Sequence, residues 1–416
     1  MHDPAPFDLA PSIPTPASRE AILRLPVPAS AKAVLLGLNE VRGGSIAATL
    51  PNGATLALGE LAFAPIAIKI NNYRFARRVI FKGDIGFAEG SIAGDWECEN
   101  LPALLTLLAA NAERFMELFE GGRLSKALNW LRHRSRGNTR AGAKRNILAH
   151  YDLGNPFYEA WLDGSMTYSS AKYDARGGDL ESAQFAKYRA LAEHLDLKRD
   201  EHVLEIGCGW GGFAEFAARE YGARVTAITI SDAQLRYARE RMARAGLDDR
   251  VDIRAQDYRE VEGQFDKVAS IEMFEAVGEK YWSGYFAKIA DVLKPGGRAA
   301  LQIITIRDEL FDGYRLRTDF IQRYVFPGGM LASAERLREE TAKAGLLWRK
   351  TEAFGQSYAE TLAEWTRRFR GKWDEIRAMG FDERFKRLWL FYLGYCEAGF
   401  RSGRTDVVQI ELAKPA

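Results

Sequence analysis

Apolar and polar positions change rhythm along this chain. Between residues 30 and 120, period-two alternation at Ser45–Leu50, Thr55–Leu58 and Ala67–Ile70 predicts short strands separated by Asn-Gly and Gly-Gly turns. Leu101, Leu104, Leu105, Leu108, Phe115, Met116 and Phe119 then recur at helical spacing. Beyond residue 146, strands and helices alternate. Val203–Ile206 is an apolar strand followed by a helix to Tyr221, and Arg224–Ile230 is a strand followed by a helix over Asp232–Ala245. Val251–Ala255 and Asp266–Ile271 continue the strands. A helix over Tyr281–Leu293, a Pro295-Gly296-Gly297 turn and a strand over Arg298–Ile304 complete the run. This order predicts an α/β fold, a doubly wound and mostly parallel sheet with helices on both faces. A smaller mixed α+β domain precedes it. No internal repeat is visible.

The expected organisation is an unstructured lead-in over 1–29, an amino-terminal domain over 30–120, a basic linker over 121–145 and the main domain over 146–416. The lead-in, rich in proline and small residues, lacks the basic start and apolar core of a secretory signal. Gly121–Arg145 holds eight Lys or Arg and no acid, with Trp130 and Leu131 among them. It reads either as a solvated connector or as a patch for anionic lipid headgroups, each basic side chain contributing on the order of 1 kcal/mol.

Composition narrows the classes. The 416 residues are 47% hydrophobic and 27% charged with a net charge of +2, so nothing global points to nucleic acid. Cys98, Cys208 and Cys396 are scattered and odd in number, which suits a reducing cytoplasm rather than a disulfide framework. Without paired cysteines or clustered histidines, no metal site is expected. No apolar run reaches the roughly 18–20 residues of a spanning helix, so membrane association would be peripheral.

The strongest local signal is VLEIGCGWGG, Val203–Gly212. A buried strand runs into Gly207, Gly209, Gly211 and Gly212, and a helix starts at once. Glycines permit a sharp turn and let a ligand approach the main chain, and free N–H groups at a helix start favour an anionic group. Gly207, Gly209 and Gly212 also satisfy the dinucleotide pattern GxGxxG. Glu205 opposes that reading, because a carboxylate there repels a pyrophosphate but suits the cationic amino group of a methionine moiety. The second strand also ends Thr229-Ile230-Ser231, with no acid for a ribose diol. Cys208 reads as a small packing residue.

Together with further segments, this motif resembles the cyclopropane-fatty-acyl-phospholipid synthase and mycolic-acid methyltransferase family of class I S-adenosylmethionine-dependent methyltransferases. The segments are HYDLGNPFYEAWLDGSMTYSSAKY (His150–Tyr173), ITISDAQ (Ile228–Gln234), QDYRE (Gln256–Glu260), IEMFEAVG (Ile271–Gly278), FIQRYVFPGG (Phe320–Gly329) and YCEAGFRSG (Tyr395–Gly403). DIGFAEGSIAGDW (Asp84–Trp96) is similar to the family's amino-terminal, lipid-binding-like unit. The resemblance implies a seven-stranded sheet and S-adenosyl-L-methionine as cofactor. It places Tyr168 and Ser169 at the cofactor's amino-acid end, and Gly207 and Gly209 against it. Thr229, Ser231 and Gln234 then lie near the ribose, and Asp257 and Tyr258 by the adenine.

The implied reaction is methyl transfer to the cis double bond of an unsaturated phospholipid acyl chain. An alkene has no proton to surrender first, so the pocket must align it, exclude water and steady a carbocation; aromatic faces contribute up to ~2 kcal/mol to that when desolvated. Candidates are Phe274, Tyr281, Trp282, Tyr324, Phe326, Trp365, Trp389, Tyr392 and Tyr395. Loss of a proton from the added methyl closes a cyclopropane, or leaves a methylene if the cation first shifts to the carbon bearing that methyl; loss from a neighbouring carbon leaves a methyl-branched alkene. In the family a bound bicarbonate is the base, held by a cysteine, a glutamate, a histidine and a tyrosine. Those positions are Ser170, Glu275, Gln302 and Thr366 here, so only the glutamate is retained. Glu275 is also a candidate base in its own right, raised in pKa by an apolar pocket. Cys396 matches a cysteine often taken as catalytic, and equally reads as a buried small hydrophobe. The expected partners are an anionic bilayer surface on the cytoplasmic side, unsaturated acyl chains and a second copy in a homodimer, but no nucleic acid. The rival activity is N-methylation of a small amine. A non-catalytic lipid-binding or cofactor-sensing module is the third reading.

Overall fold

The computed structural model describes residues 15–112, 114, 153–174 and 177–416. Phe115, Met116, Phe119 and the basic segment Gly121–Arg145 lie outside the described residues. The chain divides into two compact units, Met1–Ser125 with Glu383–Phe391, and Lys126–Asp382 with Tyr392–Ala416.

The first unit carries a five-stranded sheet in the order β1 (Thr15–Pro16), β3 (Thr55–Gly59), β2 (Ser45–Thr49), β4 (Pro65–Ile70), β5 (Trp96–Cys98). β2 and β3 form an antiparallel hairpin closed at Thr49 and Thr55, where Gly53 at φ +85° makes the turn that a side chain would strain. Helix Arg19–Arg24, capped by the Ser18 hydroxyl, and strand β1 fall in the stretch read as an unstructured lead-in. Ordered structure therefore begins before residue 30: Ile22 is fully buried, which anchors a segment whose prolines alone suggest none.

The second unit is the doubly wound sheet. Its order is β12 (Leu347–Ala353), β13 (Thr405–Ala413), β10 (Leu293–Ile306), β9 (Phe265–Ile271), β6 (His202–Ile206), β7 (Arg224–Thr229), β8 (Val251–Ala255), and β11 (Ala332–Ser333) pairs with β10. Pairs from β10 through β8 are parallel, whereas β13 runs antiparallel to both its neighbours. Side chains alternate between two cores. Val203, Val225 and Ala269 face the helices Leu180–Leu195 and Gly212–Tyr221, while Leu204, Ile206 and Val268 face Trp282–Val292 and Ala334–Lys343. Burial on both faces explains why these strands read as continuous apolar runs.

From β6 the chain first builds outward to β7 and β8, then returns to place β9 on the other side of β6. The sheet thus switches direction between β6 and β9, and a crevice opens at the carboxyl ends of these strands. Among the described residues no helix is long and apolar enough to cross a membrane, and no group of three or more His, Cys, Asp or Glu is placed to hold a metal.

Candidate active site

The glycine turn leaves β6 at this switch point. Gly207, Gly209 and Gly211 all have positive φ, at +83°, +54° and +82°. The N–H groups of Gly207 and Cys208 both donate to the Ile228 carbonyl at 3.0 Å, tying the turn to β7. A β-carbon at Gly207 would stand 2.6 Å from Met273 Cγ, whereas at Gly209 nothing lies within 4 Å. Gly209 therefore borders the open space that a ligand needs. At Gly211 an added β-carbon would stand 3.2 Å from Ala238, so its absent side chain makes room for helix packing. Trp210 donates from Nε1 to Asn155 at 2.9 Å and packs on Tyr158, joining the turn to the segment before Tyr168.

Glu205 shares Val203's face of β6 and is 2% exposed. Burial pushes its carboxyl up to about 8, against the pull of Arg241 and Lys187 and a hydrogen bond from the Ala214 N–H. Its Oε2 has no hydrogen-bond partner among the described residues. A buried acceptor left open beside a glycine turn fits the ammonium of a methionine moiety. Cys208 is buried, and burial holds its thiol well above the ordinary range, as a packing residue requires.

At the end of β7, the Thr229 hydroxyl donates to Gln234 Oε1 at 2.8 Å and accepts from the Ser231 N–H at 3.2 Å. The Ser231 hydroxyl caps the next helix, so the three expected ribose residues form one cluster. After β8, Asp257 is held by Arg259 through two contacts of 2.8 and 2.5 Å. Tyr258 packs edge-on against Tyr285 at 5.3 Å. Tyr168 shares a 2.7 Å hydroxyl contact with Tyr392 and packs on Trp365, Tyr158 and Trp161. Phe274 and Trp282 instead fill the core with Tyr285 and Phe286. Ser169 accepts from Lys187 Nζ at 2.7 Å.

Lys187 carries no motif and escaped the sequence reading. It is fully buried, and desolvation lowers its pKa to about 7 despite the charges of Glu272, Asp163 and Glu205. Glu272 escaped too. It follows the last residue of β9 with φ +49°, and its N–H donates to the Gln302 carbonyl at 2.8 Å. Its Oε1 accepts from the Ser170 N–H and from Gln302 Nε2, each at 2.8 Å, and its Oε2 accepts from the Tyr358 hydroxyl at 2.6 Å. Gln302 is oriented for this by Gln409, whose Nε2 donates to Gln302 Oε1 at 3.0 Å.

Glu275, expected as a base, is placed otherwise. One oxygen accepts from the Ile304 N–H at 2.6 Å and the other is buried without a partner among the described residues. Burial, reinforced by the Glu272 charge, raises its pKa to about 8. Burial and the neighbouring carboxylate thus hold its proton more tightly than in an ordinary carboxylic acid. Cys396 is likewise set against a thiolate role: burial, with the charges of Asp319 and Glu272, raises its pKa far above the ordinary thiol range. Ser170 contributes through its backbone, since its hydroxyl donates to the Ala171 carbonyl.

The parallel sheet with an antiparallel β13, the glycine turn at the switch point and the open buried acid together define a class I S-adenosylmethionine-dependent methyltransferase. More narrowly, the chain belongs to the mycolic acid cyclopropane synthetase family, whose model matches residues 138–410. It is 39% identical over 82% of its length, and 81% of the relative's, to tuberculostearic acid methyltransferase UfaA1 of Mycobacterium tuberculosis. It is 36% identical to the cyclopropane-fatty-acyl-phospholipid synthase of Escherichia coli K12, covering 84% of this chain and 88% of that one. Among solved structures, mycolic acid cyclopropane synthase CmaA1 complexed with SAH and CTAB matches at TM-score 0.62 and 26% identity, covering 65% of this chain and 98% of that chain. S-adenosyl-L-methionine is the cofactor.

Proposed function

We propose that this enzyme adds a methyl group to the cis double bond of an unsaturated phospholipid acyl chain and closes a cyclopropane, working at the anionic cytoplasmic face of a membrane. The observation that carries this reading is the approach of Met273 to Gly207, which brings the Glu272–Glu275 segment against the cofactor turn. When bound, S-adenosylmethionine supplies a strongly electrophilic methyl group. Glu205 and the turn orient its amino-acid end. Tyr168, Trp365 and their neighbours offer ring faces that exclude water and steady positive charge on the substrate. Gly121–Arg145, with its eight basic residues, is the proposed headgroup contact.

A second reading, a methylene or methyl-branched product, is favoured by Gln302 standing in the histidine position and by the likeness to a tuberculostearic acid methyltransferase. Vesicles of cis-unsaturated phospholipid incubated with trideuteromethyl donor separate the two. Upfield ring resonances with one deuteron lost establish the cyclopropane, and vinylic resonances establish the methylene. Label in a water-soluble amine, with none in lipid, refutes the proposal.

A further inference from the structure

The positions that hold the family's bicarbonate test whether that anion fits here. Of the four, Ser170 and Gln302 spend their donors on Glu272. The remaining two offer a buried Glu275 oxygen and the buried Thr366 hydroxyl, neither with a partner among the described residues. A free anion placed among them would sit beside a second carboxylate and find at most one hydroxyl to bind it. Burying a like charge without donors is strongly unfavourable. Bicarbonate does not fit this site.

Glu272 takes its place. Three donors converge on one carboxylate from three separate elements: the loop before Tyr173, strand β10 and the helix Gly355–Gly371. Its backbone continues the β9–β10 ladder by one bond, while its positive φ turns the chain out of the strand at the edge of the crevice. Such a conformation is costly for a non-glycine residue and persists where the surroundings enforce it. Although deep in the fold, Glu272 keeps partial exposure, unlike the sealed Glu205. Next to it, Met273 touches the cofactor turn.

We infer that the Glu272 carboxylate is a built-in substitute for bicarbonate and accepts the proton released after methyl transfer. The inference rests on the alkene-alkylating reading above. The alkene π pair forms a bond to the methyl carbon as that carbon's bond to sulfur breaks with its pair, leaving a neutral thioether and a cation on the other alkene carbon. A C–H bond of the added methyl then gives its pair to the cationic carbon, closing the ring, and the proton passes to a Glu272 oxygen. The three donors keep the base ionised and aimed, and burial makes it more basic than an ordinary carboxylate.

Two arms test this. In carbonate-stripped buffer, wild-type turnover of unsaturated lipid is expected to match that with added bicarbonate. Glu272→Gln should lower kcat by about 100-fold or more while calorimetry shows S-adenosylhomocysteine bound within a few-fold of wild type. Glu272→Gly suits the positive φ, empties the anion slot and should regain turnover only with bicarbonate. Independently of turnover, carbon-13 bicarbonate should show saturable NMR binding to Glu272→Gly and none to wild type. Bicarbonate stimulation of the wild type, bicarbonate binding to it as tight as to Glu272→Gly, or near-wild-type kcat in Glu272→Gln overturns the inference. A wild type that alkylates no lipid overturns the lipid reading instead, and the NMR arm still decides whether Glu272 fills the slot.

Discussion

Replacing Glu205 by Gln keeps the shape of the side chain and removes its titration. In the free enzyme the carboxyl stands at about 8 rather than 4.5, raised by burial. That difference corresponds to about 5 kcal/mol of linkage. Because the folded-state value is raised, the associated stability is complete below about pH 4.5 and is lost as pH climbs through 8. Wild type should therefore lose stability relative to Glu205→Gln across that window, read as a shift of the urea midpoint between pH 5 and 9. Cofactor binding has the opposite demand, since the ammonium of the methionine moiety is best met by the ionised acid. At pH 7, S-adenosylhomocysteine should consequently expel roughly one proton from wild type. Titration calorimetry in buffers of different ionisation enthalpy counts it. The Gln variant should release none and bind roughly 10- to 100-fold more weakly, the worth of one charge-assisted hydrogen bond. Equal proton release by both proteins, or equal affinity, refutes the placement of Glu205 against the amino group.

The turn offers a paired test. Gly207→Ala meets Met273 at 2.6 Å and a positive φ together, so it should lower the unfolding free energy by about 2–4 kcal/mol. Gly209→Ala meets only the strain, about 1–2 kcal/mol, yet should weaken S-adenosylhomocysteine binding at least tenfold because it fills open space; unchanged affinity would show that the space belongs to something else. Sedimentation with vesicles containing anionic phospholipid should fall steeply with salt, and replacing Arg132, Arg134 and Arg136 by Gln should weaken it further. Binding indifferent to salt would leave Gly121–Arg145 as a connector.

The sheet was legible because its information is local. The continuous burial from Val203 to Ile206 and the capping serine before Asp232 are written in adjacent residues, and the helix Asp232–Ala245 falls where its spacing predicts. The glycine turn was legible for the same reason, as a bend after a buried strand; the packing demand at Gly211 was not. Its glycine answers to Ala238 on a helix that the turn's own spacing says nothing about. Lys187 was hidden differently. On an otherwise apolar helical face it reads as a tolerated interruption, and only the assembled fold shows it facing Glu205, Glu272 and Asp163.

Glu272 was invisible because its partners are remote: Ser170 lies 102 residues away, Tyr358 86 and Gln302 30. The departures at the bicarbonate positions consequently read as separate losses in the sequence. In three dimensions they are one change. The Ser170 side chain turns away to the Ala171 carbonyl and its backbone N–H does the binding, so loss of the family's cysteine removes nothing that Glu272 requires. An amide at Gln302 presents a fixed donor to a resident carboxylate without titrating near neutral pH, as a histidine would. Tyr358, from the same helix as Thr366, supplies the hydroxyl. Once a carboxylate is attached to the chain, the cysteine, histidine and tyrosine that captured a diffusible one no longer have a ligand to hold, and their joint replacement follows from a single residue at the end of β9.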